Sequence, residues 1–188
     1  MPFDLVLLTE RLSAILTARE DELHLEQASH GLDRYDELAV QALLDAGLRA
    51  FYSVKREVHY PSSSGKLSAR PRCDFVLERA AYGDALWLEV KVAHQLHENG
   101  RPHPRYAHQW RRSLFADLRK MQADPQIVHG AFALIVFNDA QATFDRDVET
   151  FERLLFDEGL VAGYCSARSI ALDDRLGHTR CNVVAWPL

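Results

Sequence analysis

Residues 72–93 read Arg72-Cys73-Asp74-Phe75-Val76-Leu77-Glu78-Arg79-Ala80-Ala81-Tyr82-Gly83-Asp84-Ala85-Leu86-Trp87-Leu88-Glu89-Val90-Lys91-Val92-Ala93. Two apolar runs flank the turn-forming stretch Ala80–Asp84, so the segment predicts two strands, Arg72–Arg79 and Ala85–Ala93. In the second run Leu86, Leu88, Val90 and Val92 alternate with Trp87, Glu89 and Lys91. Side chains two apart on a strand share a face, so Glu89 and Lys91 project together. A carboxylate and an ammonium inside an apolar strand are costly unless they are paired or bind something.

Outward from this segment, Phe51–Tyr60 predicts a strand that forms a hairpin with Arg72–Arg79 across the turn Pro61–Gly65. Leu8, Leu12, Ile15 and Leu16 recur at helical spacing and predict a first helix from Asp4 to about Glu20. Asp33 is the expected cap of a second helix ending near Ala46, with Gly47 at its C′ position and Tyr35, Leu38, Ala42 and Leu43 as its buried stripe. After the polar loop His94–His103, Pro104 suits a helix start, and Trp110, Leu114, Leu118 and Met121 mark its inner face. Gly130–Phe137 is a continuous apolar run, expected as a strand buried on both faces. A helix over Asp145–Glu158 faces inward with Val148, Phe151, Leu154 and Leu155, and Cys181–Trp186 is a short last strand. The order predicts an α/β domain, a mixed sheet flanked by helices.

The 188 residues suit one domain. The longest strictly apolar stretch, Ala131–Phe137, is far short of the ~20 residues that cross a bilayer, so no membrane association is expected. The acidic Asp4 and the lack of a basic start argue against a secretory leader. Cys73, Cys165 and Cys181 are odd in number and scattered, which argues against a disulfide framework and suits a cytoplasmic location. No Walker or dinucleotide glycine pattern occurs, and Ser62–Ser64 lacks the context of a nucleophile elbow. His94, His97, His103 and His108 lack the cysteine partners and fixed second pair of a structural zinc site.

The net charge of -5 is unevenly spread: residues 1–50 carry 4 basic and 10 acidic side chains, residues 51–120 carry 13 and 7, and residues 121–188 carry 5 and 10. A basic middle between acidic flanks is what a polyanion site requires. Arg56, Arg70, Arg72, Arg105, Arg111 and Arg112 are the candidate phosphate contacts, with Lys55, Lys66, Arg101, Arg119 and Lys120 around them. Tyr60, Tyr106 and Trp110 are candidate base-stacking rings, although Trp110 is in register with the core residues Leu114 and Leu118.

If strands 72–79 and 85–93 are neighbours, Asp74 approaches Glu89. Two carboxylates brought together repel, and a divalent cation, Mg²⁺ or Mn²⁺, relieves that repulsion. Such an ion polarises a phosphoryl oxygen and lowers the pKa of a bound water, while Lys91 positions the water or stabilises developing charge.

An Asp followed about 15 residues later by Glu-x-Lys on a strand resembles the PD-(D/E)xK nuclease superfamily, the restriction-endonuclease-like fold. The resemblance covers residues 33–137, where the helix, three strands, helix, strand order also matches. Cys73 replaces the family's proline, which ligates nothing. The resemblance implies a metal-dependent nuclease acting on nucleic acid, DNA ahead of RNA, with Asp74 and Glu89 as metal ligands and Lys91 as a catalytic residue. It also implies a further acidic metal ligand from the first core helix: Glu37 is the candidate, with Asp36 nearly as good, a choice that helix phase does not settle. Gln109 matches a glutamine that some members carry after the Lys. Residues 1–32 form an N-terminal helical extension whose apolar stripe could serve a homodimer, and 138–188 a C-terminal helix and strand. The alternative is a non-catalytic nucleic-acid-binding or protein-interaction module on the same fold, in which Asp74, Glu89 and Lys91 are a residual ion-pair cluster.

Overall fold

The computed structural model describes residues 3–28, 30–64, 66, 70–79, 83–97, 99–173 and 177–188, with the side chains of residues 111–113 outside the description. Residues 80–82 of the expected turn also fall outside it.

The apolar runs form a six-stranded mixed sheet in the order β1-β2-β3-β4-β6-β5. The strands are β1 Ser53–His59, β2 Arg72–Arg79, β3 Asp84–His94, β4 His129–Asn138, β5 Ser166–Ala171 and β6 Arg180–Pro187. β1, β2 and β3 form an antiparallel meander. β3 and β4 are parallel, and the helix α3, Tyr106–Ala123, crosses between them. β6 returns antiparallel beside β4, and β5 closes that edge. β5 has the weak pattern Ser-Ala-Arg-Ser-Ile-Ala, and the sequence reading missed it.

Two cores sandwich the sheet. On one face, the even-numbered residues of β3, Leu86 to Val92, meet α1 (Leu5–Leu25) and α2 (Glu37–Leu48). On the other, Trp110, Leu114 and Leu118 of α3 and Phe144, Phe151 and Leu155 of α4 (Gln141–Asp157) pack on Phe132, Leu134 and Trp186. The Phe132 and Trp186 rings stack 4.8 Å apart at the centre of this second core. α4 starts four residues before the expected Asp145.

The N-terminal helix departs from expectation. Asp4 accepts the Leu7 N–H at 3.0 Å, and the helix runs to Leu25 rather than Glu20. Its stripe of Leu8, Leu12, Leu16 and Leu23 is buried in the core shared with β6 and α2. The stripe is consumed within the chain, so the basis for assigning it to a homodimer is gone.

α2 also shifts. Its cap is Asp36, whose Oδ1 accepts the Ala39 N–H at 2.8 Å, and not Asp33. The buried stripe is Val40, Gln41, Leu44 and Leu48, while Leu38 and Ala42 are exposed. Leucines at 38, 43, 44 and 48 spread apolar character around the helix, so periodicity alone could not set its phase. Gly47 lies inside the helix. A Cβ there would sit 2.5 Å from Ile15 Cγ1, so the glycine permits the close crossing of α1 and α2.

Asp33 has another task. Both it and His178 are buried, and His178 Nδ1 lies 2.9 Å from Asp33 Oδ2. The Leu96 N–H points at His178 Nε2 (3.0 Å), which leaves the ring proton on Nδ1 for Asp33. This pair ties the segment before α2 to the loops after β3 and before β6. Replacing His178 with Ala leaves a buried carboxylate and a buried N–H without partners. The expected cost is on the order of 3 kcal/mol, read as a lowered urea midpoint at unchanged slope.

Candidate functional site

The site arises where two strands part. The β2–β3 ladder runs from Arg79↔Asp84 to Phe75↔Leu88 and stops there. β4 continues along the other edge of β3 as far as His94↔Phe137. Beyond Leu88, every second N–H of β3 therefore faces the side that β2 has left. Each meets a side-chain acceptor. Asp74 Oδ2 takes the Val90 N–H at 2.8 Å, Glu37 Oε2 takes that of Val92 at 3.4 Å, and Gln109 Oε1 takes that of His94 at 3.0 Å. A buried N–H left unmade costs about 1–3 kcal/mol, so these three acceptors stabilise the opening. β1 is distorted at the same level. Glu57, which would face Asp74, has φ 52, and its pair is missing from the β1–β2 ladder. That is a strained conformation for a residue with a Cβ.

Glu89 lies inside this opening and is 2% exposed. The Tyr60 hydroxyl donates to its Oε1 at 2.5 Å, and the Tyr60 ring stacks on Trp87 with centroids 5.9 Å apart. Burial pushes the Glu89 carboxyl up to about 9, reinforced by the charge of Asp74 and a hydrogen bond with it; Tyr60 opposes the rise and Asp117 adds to it. Glu89 is thus a neutral acid at pH 7, hydrogen-bonded with Asp74. Burial and Glu89 push the Tyr60 hydroxyl and the Cys73 thiol up as well, so neither ionises near neutrality.

Lys91 is the counter-charge. Its Nζ is 3.2 Å from Glu37 Oε1 and 3.7 Å from Asp117 Oδ2. Burial works against its charge, but Glu37, Asp74, Asp117 and Glu89 outweigh it and raise the pKa. Lys91 is therefore a fixed cation. Asp117 also accepts from Lys120 at 2.8 Å.

The structure thus brings Asp74, Glu89, Lys91 and Glu37 together. Asp36 is not among them, because it caps α2 and lines a different pocket. Asp117 and the Tyr60 hydroxyl belong to the site and were not foreseen there. Asp117 sits among surface-type charges in Asp117-Leu118-Arg119-Lys120, and only the docking of α3 on β3 reveals it. Tyr60, expected as a base-stacking ring, is buried behind Glu89. Tyr106 is also turned inward, with its hydroxyl on Asp147 at 2.7 Å. Trp110 is in the core, as its register implied.

The arginines are dispersed. Arg56 donates to Gln41 Oε1 at 3.0 Å and lies over the Phe75 ring, so α2 holds it. Arg72 is exposed near Glu57, 3.9 Å away. Arg105 is exposed at the start of α3, and Arg70 is half-buried before β2. The side chains of Arg111 and Arg112 lie outside the described residues. Lys55 is paired with Glu78 at 2.5 Å, and Arg119 with Glu158.

Asp74 and Glu89 are the two carboxylates that could hold a cation. Among the described residues, no group of three or more His, Cys, Asp or Glu side chains converges into a metal cage. Mg²⁺ does not require one, since it commonly takes one or two carboxylates and completes its shell with water and phosphate oxygens. No helix among the described residues is long and apolar enough to cross a membrane. No family model, curated protein or solved structure matches the chain.

The Glu89 shift has a consequence for stability. Its folded pKa lies above its ordinary value of 4.5. The stabilisation is therefore complete below that value and is lost as pH rises through about 9. In EDTA, the thermal midpoint of the wild type should fall with rising pH relative to Glu89→Gln, which keeps a neutral, hydrogen-bonding side chain at every pH. Parallel midpoint curves for the two proteins would show that Glu89 is already ionised.

Proposed function

We propose that the chain is a divalent-cation-dependent nuclease of the PD-(D/E)xK type, hydrolysing phosphodiester bonds in nucleic acid. The observation that carries this reading is the pair of mutually crowding carboxylates, Asp74 and Glu89, beside a Lys91 kept charged by its neighbours. An acid kept protonated by burial and by a second acid beside it is a site where a cation can replace the proton. The order of α2, β1–β3, α3 and β4 also supports a restriction-endonuclease-like core.

In this reading Asp74 and Glu89 would hold Mg²⁺ or Mn²⁺. The ion supplies a polarised phosphoryl oxygen and a bound water that ionises near neutral pH. The chain's own residues do the rest. Lys91 presents a fixed positive charge to the phosphate oxygens as negative charge builds on them. Glu37 fixes the position of its Nζ through one carboxylate oxygen and grips the strand through the other. Tyr60 sets the orientation of Glu89, and Asp117 balances the ammonium from the α3 side.

Labelled DNA and RNA, incubated with Mg²⁺, Mn²⁺ or EDTA, test this directly. Cleavage should require the metal and fall by on the order of a hundredfold or more in Lys91→Ala, as when a charge-stabilising group is removed. Asp74→Asn should abolish it while keeping an acceptor for the Val90 N–H. The nucleic acid that is cut names the substrate class. Metal-independent cleavage, or cleavage untouched by both substitutions, would overturn the proposal. A folded protein that binds neither metal nor nucleic acid would favour the interaction module.

A further inference from the structure

Asp36 and Glu37 are adjacent in the chain but serve different sites. Glu37 reaches Lys91, whereas Asp36 stands at the rim of a separate pocket of about 210 Å³. Tyr35, His94, His97, His103 and His178 contribute its ring-bearing walls, and Asp33, Arg34 and Leu96 complete the lining. The pocket lies across the N-terminus of α2 from the carboxylate site: His94 is three residues beyond Lys91 on β3, roughly 10 Å along the strand and on its opposite face. Gln109, through the His94 N–H, belongs to the same row of acceptors as Asp74 and Glu37.

The walls are held in place. His178 has both ring nitrogens engaged, by Asp33 and by the Leu96 N–H. His94 stacks on Phe137 with centroids 4.8 Å apart. The rings of His97 and His103 lie 4.1 Å apart. The loop carrying them is pinned by His97 N to Arg101 O at 2.7 Å and His103 N to Gln95 O at 2.8 Å.

The chemistry of the lining narrows the ligand. Burial and the neighbouring His178 push His94 down to about 4. Burial, then His97 and Arg105, lower His103 too. His103 Nδ1 accepts the Arg105 N–H at 3.1 Å, leaving Nε2 to donate. Among the described residues no three donors converge on a metal. Flat rings with donors and acceptors at their edges, beside the Asp36 carboxylate and the Arg34 guanidinium, match a planar ligand with the same edge chemistry. A nucleobase is such a ligand.

We propose that this pocket receives the unstacked base of a nucleotide next to the phosphodiester held at Lys91, so that the chain acts on single-stranded or frayed nucleic acid. The proposal rests on the nuclease reading for its substrate, but the pocket can be tested without cleavage.

The test uses the full chain carrying Lys91→Ala, with Mg²⁺, so that a short single-stranded oligonucleotide stays intact. The imidazole C–H resonances of His97 and His103 are followed by NMR. They should shift with the intact strand and stay put with a strand of equal length whose nucleotides are all abasic. In the same background, His97→Ala with His103→Ala should weaken binding of the intact strand about tenfold, the worth of one stacked base, and leave the abasic strand unaffected. Thermal melting checks that this variant is folded, and His97→Gln alone serves if it is not. Equal shifts with both strands would mean backbone contact only and would overturn the proposal. So would the absence of any shift at saturating strand, or shifts produced by Zn²⁺ alone and not by the strand. If metal-dependent cleavage fails in the wild type while the base-dependent shifts persist, the nuclease reading falls and the base pocket stands.

Discussion

Everything at the candidate site depends on how β3 disposes of its backbone N–H groups after Leu88. A strand whose neighbour departs on one edge must find other acceptors or leave buried donors unpaired. Here Asp74, Glu37 and Gln109 supply them, from β2, α2 and α3 respectively. Three separate elements are thereby tied to one strand edge, and their polar side chains are drawn to the same place. The strand opening and the polar cluster are one feature. Acceptors strong enough to replace a β-ladder are also groups that bind cations and position ammonium ions.

The electrostatics follow from that crowding. Four carboxyl groups surround one lysine, in a region partly closed to solvent by Tyr60, Trp87 and the α3 side chains. Such a set cannot be fully ionised without strong repulsion. The chain resolves this by protonating Glu89, the most buried of the acids, and by keeping Lys91 charged. The proposed cation would replace the proton.

The N-terminus of α2 separates two environments. Asp36 and Glu37 serve different sites because Asp36 is the extended cap, its side chain folded back on the Ala39 N–H, whereas Glu37 is the first helical residue and reaches Lys91. On one side is a charged cluster, and on the other a pocket walled by histidines and a tyrosine. β3 contributes to both, through Glu89 and Lys91 on one face and His94 on the other. The Asp33–His178 pair holds the histidine side together across 145 residues of chain.

The sequence by itself determined the strands around Asp74 and Glu89, the placing of Glu89 and Lys91 on one face, and the buried face of α3. These follow from two- and 3.6-residue periodicities, which are local properties of the backbone. It also determined that a carboxylate and an ammonium inside an apolar strand had to find partners. Only the tertiary structure decided which partners. The choice of Glu37 over Asp36 needed the phase of α2, and leucines on several sides of that helix left the phase open until α1 packed against it. Asp117, the Tyr60 hydroxyl and His178 carry no local signature, because each acts through a residue on another element. β5 was equally silent, since a short edge strand buries too little to be patterned. The physical reason is the same throughout. Periodicity records which side of an element faces the core, whereas a site is made of contacts between elements, and those exist only once the elements have packed.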